Sequence, residues 1–265
     1  DERLNKKIDY LFIDEAGQVS LANTLAMSTS TKNIILIGDQ MQLSQPIKGI
    51  HAGDSGKSSL EYLLSGYDTI PPNKGIFLNK TRRLNHKICD YISESFYDSR
   101  LKPHEITKER YVKLKSAIIH DEGISMIPMN HTNCSQKSDE EAKQINLLIK
   151  SFMGKKCKDS GTEKEREMNI EDFLVVSPFN MQVNNLYRNL PIGAKIGTID
   201  KFQGQEAKIV FISMTSSDPE NLPRHKEFFF SRNRLNVAVS RAQCVTIIFF
   251  NPNLLNSSCV KINEM

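Results

Sequence analysis

The sequence predicts an α/β protein: parallel sheets flanked by helices, arranged in two units. Three observations lead there. Short apolar runs recur and end in polar or acidic turns, as strands buried on both faces do. Segments with apolar residues at helical spacing lie between them, which is the strand–helix–strand grammar of a parallel sheet. Pro71-Pro72-Asn73 punctuates the chain and divides it into residues 1–73 and 74–265.

In the first unit, Ile8 to Ile13 predicts a buried strand closing on Asp14-Glu15. A helix follows over 21–29. Asn33 to Ile37 predicts a second buried strand, closing on Gly38-Asp39, and Ser58 to Ser65 predicts a helix. In the second unit a strand is expected to start at Ile76 to Leu78, with a helix over Asn85 to Tyr97. Tyr111 to Pro128 reads as irregular or short strands. Ala142, Ile145, Leu148, Ile149 and Phe152 give a helix over 139–153, and Ser138 followed by Glu141 fits a capping box. Gly154 to Glu167, rich in Lys and Glu, is expected to be a mobile surface loop. Strands are expected at Phe173–Ser177, Lys195–Ile199, Ile209–Met214 and Val245–Phe250, with helices at Gln182–Asn189 and Asn233–Ser240. No internal repeat is visible.

Composition bounds the function. The chain has 265 residues, 39% hydrophobic and 25% charged, a globular composition. Apolar runs such as Val245 to Phe250 fall far short of the ~20 residues a membrane helix needs, and no signal segment opens the chain. The expectation is an intracellular protein, cytoplasmic or, in a eukaryote, nuclear, with no membrane association. A net charge of +4 is compatible with nucleic acid and weak evidence alone. The five cysteines form no CxxC pair, so free reduced thiols are expected, and no structural zinc. The first residue is Asp and a strand follows within a few residues, so the chain reads as one that starts mid-domain.

Several segments carry chemistry. Asp14 and Glu15 follow a strand, where adjacent carboxylates suit hydrolysis of a magnesium-bound nucleotide. One holds the ion's shell and the other polarises water; a solvated strand end is the plain alternative. Gln40 and Gln42 sit after the next strand, placed to sense a phosphate or simply to make a polar turn. Gly56-Lys57-Ser58 imitates the end of a phosphate-binding loop, but the position five before Gly56 is His51 where such a loop needs Gly. Arg82 and Arg83 could neutralise transferring phosphate oxygens or form a surface pair. The stretch Ile196 to Glu206 runs from a strand through Thr198, Gly204 and Glu206, a polar loop able to meet a nucleotide on one side and a nucleic-acid phosphate on the other. Arg232 to Ala242 reads as a helix with Arg234 and Arg241 two turns apart on one face.

Taken in order, DEAGQ, GDQMQL, LNKTRRLN, SPFNMQ, GTIDKFQGQE and RNRLNVAVSRAQ resemble the motifs of superfamily 1B helicases of the Upf1-like (Dna2/Nam7) group, across about residues 8 to 255. The resemblance implies a RecA-like P-loop NTPase fold, an incomplete first domain over 1–73 and a complete second over 74–265, with ATP between them. It implies that Asp14 binds Mg²⁺, Glu15 activates water and Gln42 contacts the γ-phosphate region. Arg83 and Arg241 would be arginine fingers, and Gly204 and Glu206 would line the nucleotide side. Pro178, Phe179 and Thr198 would lie nearer the nucleic acid. The partner implied is single-stranded DNA or RNA, along which the protein would move 5′-to-3′; the oligomeric state is not legible, and a monomer is the expectation. The motif around Arg83 departs from the family pattern, with Arg82 and Asn85 where an aromatic and a His are usual. The family's earlier motifs, the P-loop among them, are not found in these 265 residues; the resemblance would place them before residue 1. The alternative function is a non-catalytic nucleic-acid-binding or interaction module, inactive as an isolated fragment.

Overall fold

Parallel strand pairing organises both halves of a computed structural model of the chain, which describes residues 7–43, 52–218 and 231–256. The chain divides into two units, 1–77 and 78–265. In unit 1, β1 (Ile8–Ile13) pairs parallel with β2 (Thr31–Leu36), Ile13 opposite Leu36. Helix α1 (Leu21–Ser28) makes the crossover, started by Ser20, whose hydroxyl accepts from the Asn23 amide at 3.2 Å. Helix α2 (Ser59–Leu63) opens on a reciprocal capping box between Ser58 and Glu61. Ile13, Ala16, Leu60 and Leu64 form a small core.

The expectation of two buried strands is corrected here. Tyr10 is 60% exposed, Phe12 63% and Ile35 38%. Among the described residues this sheet has two strands, and an apolar run is buried on both faces only when other layers cover both faces.

Unit 2 contains β3 (Lys80–Thr81), α3 (His86–Phe96), β4 (Lys102–Pro103), β5 (Tyr111–Val112), β6 (Gly123–Pro128), α4 (Asp139–Phe152), β7 (Lys156–Lys158), β8 (Arg166–Glu167) and β9 (Phe173–Val176). These are followed by α5 (Asn180–Asn189), β10 (Lys195–Gly197), β11 (Ala207–Ser213), α6 (Arg232–Val239) and β12 (Ala242–Phe250). Its main sheet runs β10-β9-β11-β12-β6, every neighbour parallel. Strands β9 and β11 are buried at every position. Phe173, Phe211 and Phe249 lie in series across the sheet, with ring centroids 6.2 and 6.3 Å apart. The apolar stripe of α4 (Ala142, Ile145, Ile149, Phe152) joins the same core.

Four expectations change in unit 2. Ile76 and Leu78 are 86% and 79% exposed and lie outside any strand; the strand is the two-residue β3, where Lys102 and Pro103 supply a partner. The segment 111–128 does carry short strands, β5 and β6, the latter an edge strand bounded by Gly123 and Pro128. The Lys/Glu-rich stretch 154–167 is not a loose loop. It forms the antiparallel β7–β8 hairpin, which pairs with β5 and buries Cys157, and Lys156 pairs with Glu167, Arg166 with Asp159, Glu165 with Lys113 and Asp159 with Lys208. The capping box at α4 is half made. Ser138 accepts from the Glu141 amide at 3.1 Å, but the Glu141 carboxylate turns inward. Helix α6 ends at Val239, so Arg241 lies beyond it, not on a face shared with Arg234.

Cys89, Cys157 and Cys244 are buried free thiols and Cys134 is half-buried; Cys259 lies outside the described residues. Among the described residues, no helix is long and apolar enough to cross a membrane.

Candidate functional site

The acids of unit 1 sit where β1 ends. Asp14 and Glu15 are both exposed. Glu15 takes a left-handed backbone (φ 51, ψ 40), uncommon for a residue with a side chain, and its amide donates to Asp14 Oδ1 at 2.9 Å. The loop after β2 presses against this turn. The Ala16 amide donates to the Ile37 carbonyl at 2.9 Å. A methyl group on Gly38 would lie 2.8 Å from the Ala16 nitrogen, and one on Gly17 would lie 2.8 Å from the Asp39 carbonyl oxygen. Two glycines therefore let the two loops touch backbone to backbone. Asp39 organises the second loop, accepting from the Met41 amide at 2.9 Å and from the Gln42 side-chain amide at 3.0 Å. Asp39 thus holds the Gln42 side chain within the loop that follows β2.

No group of three or more His, Cys, Asp or Glu side chains gathers to form a metal cage among the described residues. The donor set at Asp14-Glu15 nonetheless suits magnesium, which takes one or two carboxylates and completes its shell with water and substrate phosphates.

Gly56-Lys57-Ser58 forms no cradle. Residues Gly53–Gly56 make a 3-10 turn, Lys57 is paired with Asp54 at 2.7 Å, and Ser58 caps the five-residue α2. His51 lies outside the described residues.

In unit 2 the singled-out residues fall on opposite edges of one sheet. At the amino edge, Glu206 precedes β11 and Arg241 precedes β12, and the Ala207 amide donates to the Arg241 carbonyl at 3.1 Å. Arg83 is brought to the same edge by Asn85. This buried residue caps α3 through the Ile88 amide (3.0 Å), and its own side-chain amide donates to the Cys244 carbonyl at 2.6 Å. Arg83 then donates Nε to Glu206 Oε2 at 2.6 Å and Nη1 to the Ser240 carbonyl at 3.4 Å. Arg241 is 3% exposed; its Nε donates to the Val237 carbonyl at 3.1 Å and its Nη1 to the Gln205 carbonyl at 3.4 Å. Gly204, with φ 76, is exposed in the same loop. Arg82 is exposed, whereas Arg83 is half-buried.

Burial pushes the Glu206 carboxyl up, but hydrogen bonds from Arg83 and Gln243 outweigh it and leave the group below the ordinary carboxylate range. Glu206 is therefore an anion at neutral pH.

At the carboxyl edge, Gly197 stands opposite Val176, and Val176 opposite Ile212. Pro178 and Phe179 follow β9 here, and Thr198 follows β10. Phe179 packs on Leu254, as does Met214. The Thr198 hydroxyl makes no capping bond to the short helix it precedes. Beneath this edge lies a buried polar network. Glu141, wholly buried, accepts from the Thr215 amide (3.0 and 3.1 Å) and the Ser213 hydroxyl (2.5 Å), and pairs with buried His131 at 2.9 Å. Gln182 accepts from the Ser138 amide at 2.9 Å and donates to Ser213 Oγ at 3.0 Å.

Sequence reasoning missed Gln243, Lys208 and Arg110. Gln243 donates to Glu206 Oε1 at 2.7 Å, and Arg110 donates to the Arg83 carbonyl at 3.0 Å. Lys208 carried a signal, being the one charged residue within the apolar run of β11. Arg110 carried none, since it precedes a two-residue strand.

Comparison with known proteins adds family information. The profile of an AAA domain family (AAA_12) matches residues 56–253. The DNA replication ATP-dependent helicase/nuclease dna2 of Schizosaccharomyces pombe is 28% identical over 96% of this chain and 19% of its own length. The ATP-dependent helicase NAM7 of Saccharomyces cerevisiae is 26% identical over 96% of this chain and 26% of its own. The probable RNA helicase armi of Drosophila melanogaster is 27% identical over 93% of this chain and 23% of its own. This chain thus spans about a fifth to a quarter of the length of these relatives.

Proposed function

This chain belongs to the AAA_12 family of AAA domains and is a distant homologue of Upf1-like superfamily 1 helicases; from that premise we propose that it is the rear portion of an ATP-driven helicase or translocase acting on single-stranded DNA or RNA. One observation carries the reading. Three segments distant in sequence converge at one sheet edge, with Arg83 on Glu206 and Arg241 on the loop that bears Glu206. Their convergence makes a basic cluster around one anchored carboxylate, which suits recognition of a polyphosphate.

The roles are those the family resemblance implies. Asp14 holds the magnesium water shell and Glu15 orients the attacking water, while Gln42, steadied by Asp39, reads the γ-phosphate region. Magnesium supplies neutralisation of phosphate charge. Arg83 and Arg241 stabilise charge on the transferring phosphoryl oxygens. Gly204 and Glu206 line the nucleotide side. Pro178, Phe179 and Thr198, at the opposite edge, meet the nucleic-acid strand. Backbone contact of that kind is electrostatic and weakens steeply with salt. Movement is 5′-to-3′, by a monomer in the cytoplasm or nucleus.

The test is Arg241→Ala in the complete protein. Nucleic-acid-stimulated ATP turnover should fall by ~10³, and undiminished turnover sinks the assignment. Parallel assays with single-stranded DNA and RNA decide the substrate.

A second reading concerns the 265 residues alone. Lys57 is tied to Asp54 in a turn that offers no nest of amides, so the isolated chain is a binding module without appreciable hydrolysis. Robust ATPase activity of the isolated chain overturns that reading.

A further inference from the structure

A turn in the β7–β8 hairpin holds Arg83 by two separate routes. The first reaches its guanidinium. Lys208 is 2% exposed, and its ammonium has three acceptors for three protons: Asp159 Oδ1 at 2.6 Å, the Lys158 carbonyl at 2.9 Å and Gln243 Oε1 at 3.5 Å. The same Gln243 side chain donates to Glu206, and Glu206 accepts from Arg83. The second route reaches the backbone. Arg110 donates Nε to Ser160 Oγ at 2.5 Å and Nη1 to the Arg83 carbonyl at 3.0 Å. Asp159 and Ser160 are neighbours, so one turn grips both ends of Arg83.

The turn is itself anchored. Arg166 donates Nε to Asp159 Oδ2 at 2.6 Å and both terminal nitrogens to the buried Asp172, at 2.6 and 2.7 Å. A bidentate guanidinium–carboxylate pair of this kind fixes direction as well as distance. Charges alternate along the series Arg83, Glu206, Lys208, Asp159, Arg166, Asp172, with Gln243 bridging the second and third, so the buried Lys208 and Asp172 each face an opposite charge.

We propose that Lys208 and Arg110 are positioning residues which, seated on the 158–160 turn, fix the side chain and backbone of Arg83 for contact with phosphate oxygens. The inference rests on the reading of Arg83 as an arginine finger. It gives the hairpin a task in hydrolysis that is exerted through Arg83. Catalytic geometry is steep: a misplacement of about 1 Å can cost ~10²-fold in rate.

The experiment compares Lys208→Met, Lys208→Arg, Arg110→Met and Arg83→Ala in the complete protein. It reads nucleic-acid-stimulated ATP turnover, split into kcat and KM, with thermal melting alongside. Lys208→Met and Arg110→Met should each lower kcat by ~10-fold or more, with KM for ATP changed by less than about threefold. Lys208→Arg, which keeps the cation, should restore most of kcat. In the Arg83→Ala background, adding either Met variant should change kcat by less than about twofold, because the residue they hold is gone. Arg110 is only half-buried, so its variant reads the same contact if Lys208→Met does not fold. Losses that add fully to an impaired Arg83→Ala, or unchanged kcat in a folded Met variant, overturn the inference alone. Undiminished turnover in Arg83→Ala overturns both the inference and the reading beneath it.

Discussion

Arg83 Nε lies 2.6 Å from Glu206 Oε2, across 123 positions of sequence. The pair is a third exposed at each side chain, 30% and 38%. Solvent screens it, and an exposed pair of this kind adds little to stability. Its weight is in direction: Glu206 is an anion held on its far oxygen by Gln243, so it fixes where the guanidinium points.

That difference in burial separates the two arginines. Arg83→Ala should leave the melting temperature within about 2 °C, because a partly exposed pair is worth under about 1 kcal/mol. Arg241→Ala removes a nearly buried guanidinium bonded to the Val237 and Gln205 carbonyls. It should cost about 1–3 kcal/mol and several degrees. Differential scanning calorimetry of both variants checks this. Equal melting temperatures would contradict the buried setting of Arg241.

Glu141 should be the costlier residue for folding. Its carboxylate accepts from Thr215, Ser213 and His131 with no access to water. Glu141→Ala leaves those donors without an acceptor and should cost about 3–5 kcal/mol, as breaking a buried pair does. The urea midpoint should fall with an unchanged slope. Thr215 takes a left-handed backbone (φ 71), held by the carboxylate on its amide, so hydrogen exchange at residues 213–217 should rise with it. A loss below about 1 kcal/mol would mean the network is not structural.

Acid should release the hairpin late. A hydrogen bond from Arg166 leads the causes that lower the Asp159 carboxyl to about 2, against opposing burial and with help from Lys208. A depressed carboxyl contributes stability that is fully present above its unfolded value, here 3.8, and is lost as pH falls through the folded value of about 2. The urea-midpoint gap between wild type and Asp159→Asn should therefore hold from neutrality to about pH 4.5 and close below it. The gap should be modest, since the Asp159 side chain is 39% exposed. A gap that closes near pH 6 would assign the effect to another group.

What the sequence determines by itself is whatever local pattern dictates. The α/β class, the crossover helix α1, the apolar stripe of α4 and the buried strands β9, β11 and β12 are all written in periodicity, because a residue's face is set by the repeat of its own element. The motif series is likewise legible, since it consists of residue types at fixed spacing. Only the tertiary structure decides which of those residues meet. That Arg83 finds Glu206, that Gln243 and Lys208 stand behind them, and that 154–167 is an anchored hairpin all depend on long-range pairing, and a charged stretch reads alike whether its partners are water or a distant strand. Burial of β1 is the converse case: its apolar run is plain in the sequence, but Tyr10 and Phe12 stay exposed, because covering a face takes another layer and no strand can supply that for itself.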